Sequence, residues 1–189
     1  MENLAYDYTP EMLDDEPNYE IIGGKKFIMA AAAPNITHGT IVMRIGTAFT
    51  RYIDNNDIHA IVMGAADVYL SDEEHYRPDL SIVCNLDIVK NGKKVYGAPD
   101  LVVEVLSEST MDNDLGPKKA AYEKFGVKEY WIVDQWSKRV EVYHSIEGKF
   151  IFSKSYKVSD EENTVNDIKV SIFEGMVVDV REIFKWYFN

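Results

Sequence analysis

Four residues in the middle of this chain carry the groups that phosphodiester hydrolysis needs: Asp79, Asp100, Glu104 and Lys118. Asp79 opens the apolar segment PDLSIVC, and Glu104 lies inside the next apolar segment, PDLVVEVL. Lys118 follows on a stretch with helical character. Hard oxygen ligands of this kind hold Mg²⁺ or Mn²⁺. The ion polarises a phosphate and acidifies water, while a lysine offsets the charge that develops. Asp and Glu are common at strand ends, so the spacing by itself leaves other readings open.

The elements around these residues sharpen the reading. In a strand over 100–106, Leu101, Val103 and Val105 point one way, and Asp100, Val102, Glu104 and Leu106 the other. Both faces are mostly apolar, as in a strand covered on both sides. A carboxylate between Val102 and Leu106 needs a cation, a cage of hydrogen bonds or a raised pKa. A helix is expected over 114–125, with Asp114 as N-cap, Pro117 in its first turn and Gly126 as its stop. Its apolar stripe is Leu115, Tyr122 and Phe125, and Lys118 falls inside that stripe. Such a lysine either snorkels to solvent or reaches a buried partner.

Composition narrows the class. A chain of 189 residues with 46% hydrophobic and 28% charged residues reads as one globular domain, residues 19–189, preceded by a polar, acidic arm over 1–18. The single cysteine, Cys84, excludes an internal disulfide framework, suits a reducing cytoplasm and reads as an inert thiol in an apolar strand. No signal-like or membrane-spanning run occurs, so the expected location is cytoplasmic. Cysteine–histidine zinc sites are excluded by count, and phosphate-loop, dinucleotide and serine-elbow motifs are missing. The net charge of −12 repels a polyanion unless lysines concentrate locally or divalent ions intervene.

Outside the centre, YEIIGGKKFIMA reads as a hairpin and residues 35–54 as a helix with the stripe Ile41, Ile45, Ala48, Phe49 and Tyr52. His38 lies on that stripe one turn earlier, either as a satisfied core histidine or as a ligand. Residues 59–70 read as one strand, SDEEHYRP as a turn, and 85–98 as a loop or short hairpin. EYWIVD, RVEVYH and KFIFSKSYKV read as successive strands, SIFEGMVVDV as extended, and REIFKWYF as a short closing helix. The pattern predicts an α/β or α+β fold with a sheet flanked by helices.

The segment PDLVVEVLSESTMDNDLGPKKAAYEKFGVKEYWIVD closely resembles the signature of the Uma-two family, restriction-endonuclease-like proteins of the PD-(D/E)XK nuclease superfamily. YEIIGGKKFIM, PNITH, DVYL, RPDLSIV and EGMVVDVREIFKW extend the likeness over nearly all of 19–185. The resemblance implies a central mixed sheet between helices, with additional C-terminal strands. It also implies Asp79 and Glu104 as metal ligands, joined by the backbone carbonyl of Val105, and Lys118 as the catalytic lysine. Glu20 and His38 match polar positions of the family and are secondary site candidates, as is Asp100. The superfamily motif would place its lysine at 106, where this chain has Leu106; the resemblance implies that Lys118 takes that role. The expected function is therefore a Mg²⁺- or Mn²⁺-dependent endonuclease acting on DNA, with a homodimer as a compatible assembly. Two alternatives stand beside it: a catalytically silent nucleic-acid-binding or assembly module, and a structural protein with a buried Glu104–Lys118 pair.

Overall fold

A computed structural model describes residues 19–28, 35–159 and 166–185. The expected arm over 1–18 and the end of the closing segment lie outside the described residues. The hairpin of β1 (Tyr19–Ile22) and β2 (Lys25–Ile28) is followed by helix α1 (Ile36–Asn55). Next come β3 (Ile61–Gly64), β4 (Asp67–Ser71), β5 (Glu74–Tyr76), β6 (Leu80–Val83), β7 (Val89–Lys90) and β8 (Lys94–Tyr96). The central segment holds β9 (Leu101–Val105), two short helices, α2 (Met111–Leu115) and α3 (Pro117–Phe125), and β10 (Glu129–Asp134). The strands β11 (Arg139–Ile146), β12 (Lys149–Lys157), β13 (Asp167–Lys169) and β14 (Val177–Asp179) precede α4 (Val180–Ile183).

The central sheet is mixed, in the order β12-β11-β10-β9-β6-β3. Its parallel pair is β9–β10, joined through α2 and α3 as a parallel crossover requires. The other neighbours are antiparallel. A second sheet, β2-β1-β5-β4-β8-β7, and the β13–β14 ribbon complete the architecture.

All five residues of β9 are buried, and the alternation expected for them holds. Leu101, Val103 and Val105 enter a core with Ile41, Ile45, Phe49 and Ile53 of α1. Val102 and Leu106 enter another with Ile22, Tyr76, Ala121, Tyr122 and Tyr130, between α3 and the second sheet. Glu104 shares the parity of Val102, so it is carried into this second core. At the start of α1 the Asn35 side chain caps the helix, accepting from the His38 amide at 3.2 Å.

Several boundaries differ from the sequence reading. Residues 59–70 form two strands, because Ala65 adopts φ 47° and sends β3 and β4 into different sheets. The expected turn SDEEHYRP contains β5, held between β1 and β4. The expected helix over 114–125 is two helices broken at Gly116, which leaves Leu115 45% exposed instead of in the stripe. A Cβ at Gly116 would stand 2.9 Å from the Asp112 carbonyl oxygen, so the close approach depends on glycine. In SIFEGMVVDV only Val177–Asp179 is a strand, and only Val180–Ile183 of the closing segment is helical among the described residues.

Candidate active site

Glu104 is 2% exposed and finds all three of the remedies that a buried carboxylate calls for. Tyr122 donates its hydroxyl to Oε1 at 3.0 Å, and the Asp79 amide donates to Oε2 at 3.2 Å. Lys118 Nζ stands 3.5 Å from Oε1. Burial drives the Glu104 pKa well above the ordinary carboxylate range; Lys118 opposes this, while Asp114, Asp79 and Glu20 add to it.

Asp79 immediately precedes β6, whose Leu80 pairs with Val103 of β9, so the two carboxylates meet at one end of adjacent strands. Its Oδ2 accepts the Val105 amide at 2.7 Å, and its Oδ1 lies 3.0 Å from His38 Nε2. Val105 thus meets Asp79 through its N–H. His38 and Asp79 keep 25% of their side-chain surface exposed, which makes them the mouth of the site. The hydrogen bond with Asp79 raises the His38 pKa against the opposing effect of burial, with Coulombic support from Asp79 and Asp114.

Lys118 lies beneath that mouth, 2% exposed, with three carboxylates around it. Glu20 Oε1 is 2.8 Å away, Asp114 Oδ1 3.1 Å and Glu104 Oε1 3.5 Å. Burial lowers the lysine pKa, but Glu104, Asp114 and Glu20 together outweigh it, so the ammonium stays charged. Glu20 arrives from the second sheet, and its Oε1 also accepts the Arg77 amide at 3.1 Å. Asp114, expected as a cap, is buried instead at the end of α2, one helical turn before Lys118. Tyr130 pins it there by donating to the Asp114 carbonyl at 2.9 Å. Burial raises the Asp114 pKa, again opposed by Lys118. Its Oδ1 is within ion-pair range of Lys118 yet makes no well-directed hydrogen bond.

The structure therefore brings together Asp79, Glu104, Lys118, Glu20 and His38. Asp100 lies apart from this group. Four residues of extended strand, roughly 13 Å, lie between it and Glu104. There it accepts from Lys128 Nζ and from the Cys84 amide, both at 2.7 Å. Asp114 and Tyr122 were not singled out as site residues in the sequence. Their signal was the four-residue spacing Asp114–Lys118–Tyr122, which stacks side chains on one helical face.

Asp79, Glu104, Asp114 and Glu20 outnumber Lys118 and His38 in this cluster, and hard divalent cations take oxygen ligands of this kind. Among the described residues no group of three or more His, Cys, Asp or Glu side chains is placed to hold one. Mg²⁺ does not require such a group, since it commonly takes one or two carboxylates and keeps several waters.

The family described as "Putative restriction endonuclease", Uma2, matches residues 5–180. The chain belongs to the Uma2 family. An uncharacterized protein of Synechocystis is 28% identical to this Uma2 chain over 146 residues, 75% of this chain and 74% of that protein. A crystal structure from Anabaena variabilis, described as a putative nuclease belonging to DUF820, superposes with a TM-score of 0.71. That match covers 93% of the Uma2 chain and 94% of the other at 18% identity, and it shows that the two share a fold. No helix among the described residues is long and apolar enough to cross a membrane.

Proposed function

We propose that this chain is a metal-dependent endonuclease that hydrolyses phosphodiester bonds in DNA, using Mg²⁺ or Mn²⁺. The observation that carries the reading is the convergence of Asp79, Glu104 and Lys118 at one end of β6 and β9, open to solvent at Asp79. Asp79 and Glu104 would hold the ion, with the Val105 carbonyl as a third protein oxygen. When bound, the ion polarises the phosphate and lowers the pKa of water. The chain's own residues orient and neutralise. The Val105 amide and His38 fix the Asp79 carboxylate; Tyr122 and the Asp79 amide fix Glu104. Lys118, kept charged by Glu20 and Asp114, serves as a fixed cation for the charge that develops on phosphorus oxygens, and helps to position water.

Thermal melting and cleavage test this together. Mn²⁺ or Mg²⁺ should raise the melting temperature of the wild type, since a ligand of the native state stabilises it. Asp79→Asn should abolish both that shift and plasmid cleavage. An unchanged metal response in Asp79→Asn removes Asp79 from the site. The burial of Lys118 among three carboxylates also fits a silent nucleic-acid-binding or assembly module. Wild-type protein that binds metal and DNA but cleaves no plasmid, single strand or RNA would select that reading.

A further inference from the structure

The second sheet carries Glu20 inward to Lys118 and presents a different set of residues on its other face. Glu20, Val68, Tyr76 and Val95 are buried on one face, and the alternation turns Tyr19, Tyr69, His75 and Tyr96 to the other, where His75 is itself buried between its neighbours. His75 pairs with Tyr69 across β5 and β4, and Tyr69 pairs with Tyr96 across β4 and β8. Their rings stack in a row. Tyr69 and His75 have centroids 4.1 Å apart at 7°, and Tyr69 and Tyr96 are 5.0 Å apart at 13°. Tyr19 closes the inner end, edge-on to His75 at 5.0 Å. Asp67 Oδ1 anchors the row, 3.1 Å from His75 Nε2 and 3.1 Å from Arg77 Nε. The stack is thus built in advance, and the ordering cost of binding is reduced.

The outer end of the row is open, with Tyr96 49% exposed. Cations flank it: Lys94 Nζ donates to the Tyr69 hydroxyl at 3.3 Å, and Lys26 Nζ lies 3.8 Å from the Tyr19 ring centroid. The intervening carboxylate, Asp67, is taken up by His75 and Arg77. In a chain of net charge −12, a face of stacked rings between lysines is the complement of bases and phosphates. A duplex keeps its base faces covered, so only an unpaired nucleotide offers a ring to extend the stack.

We propose that this face binds single-stranded nucleic acid, with an unpaired base stacking on Tyr96 and adjacent phosphates meeting Lys94 and Lys26. The proposal rests on the nuclease reading and specifies its substrate as DNA with an unpaired segment. His75 and Asp79 are four residues apart along the chain, so the His75 position of the row, two strands from Tyr96, lies within roughly 14 Å of Asp79.

Fluorescence anisotropy of the full chain in Ca²⁺, with labelled oligothymidylate and a hairpin-capped duplex, tests it. The single strand should bind more tightly. Tyr96→Ala should weaken single-strand binding about tenfold while leaving duplex binding unchanged, and Tyr96→Phe should retain it. Lys94→Gln should weaken it and reduce the salt slope by about one. Folded Tyr96→Ala that binds the single strand like wild type overturns the proposal, as does a wild type that prefers the duplex or binds neither. Cleavage with an indifferent Tyr96→Ala removes this surface alone; single-strand binding without cleavage under any metal removes the nuclease reading alone.

Discussion

Removing the charge of Lys118 acts on a cluster in which one ammonium faces Glu20, Asp114 and Glu104. Lys118→Met keeps much of the stem and its apolar contact. In the nuclease reading it should cost on the order of 10²-fold or more in cleavage rate, the scale of losing one transition-state donor, with metal binding retained. Lys119→Met should do little, since Lys119 lies over the Tyr143 ring, 3.4 Å from its centroid, outside the cluster. Equal rates for Lys118→Met and wild type, in a preparation that cleaves, would end the proposed mechanism. Glu104 gives a pH prediction. Burial raises its folded-state pKa, so the folded chain binds that proton more tightly than the unfolded chain. The stability it contributes is complete below the ordinary carboxylate value and is lost as pH rises through the raised one. In chelator, Glu104→Gln should therefore flatten the fall in melting temperature above about pH 5 relative to wild type. Melting curves with an identical slope would show that Glu104 does not titrate in that window.

At the scale of elements, the break between α2 and α3 sets the stripe around Lys118. A continuous helix would also align Asp114 with Lys118, but it would keep Leu115 in the stripe instead of 45% exposed. Gly116→Ala introduces a Cβ 2.9 Å from the Asp112 carbonyl, where backbone must move to make room. It should cost about 1–3 kcal/mol in chemical denaturation, in the range of other overpacked sites, and should lower any cleavage activity by displacing Asp114 and Lys118. Gly39→Ala is the opposing control, because a Cβ in that turn of α1 meets nothing within 4 Å. It should stabilise by up to about 1 kcal/mol, the helix-propensity difference. Destabilisation of similar size at both positions would mean that the junction has no special role.

For the whole molecule, the net charge of −12 sets the terms on which DNA can approach. Long-range repulsion has to be overcome by divalent ions at the carboxylate cluster and by local lysines. Duplex binding should therefore depend on a divalent metal and weaken steeply between about 50 and 200 mM salt, which anisotropy titrations measure. Tight binding in chelator, insensitive to salt, would contradict the arrangement. The two six-stranded sheets divide the work in the proposed function: β6 and β9 of the central sheet bring the carboxylates, and the second sheet brings Glu20 inward and its aromatic row outward.

Local periodicity by itself determined a good part of this protein. The two-residue alternation placed Val102, Glu104 and Leu106 on one face of β9, and the apolar spacing of Ile41, Ile45 and Phe49 marked the buried side of α1. Both are properties of a few consecutive residues, independent of the rest of the fold. Lys118 was legible for the same reason, since the unusual feature was its place beside Tyr122 on a buried helical face. Tertiary structure decided which carboxylates share a site. Asp100 and Glu104 have the same parity on one strand, and only the position of Asp79 beside β9 and of α3 above it selects the Glu104 end. Glu20 joins through sheet pairing far along the chain, whereas Asp114 joins through its four-residue spacing to Lys118. The two sheets likewise separate at Ala65, where a positive φ turns one expected strand into two. Such contacts between segments distant in sequence leave no periodic trace, so they emerge only when the chain has packed.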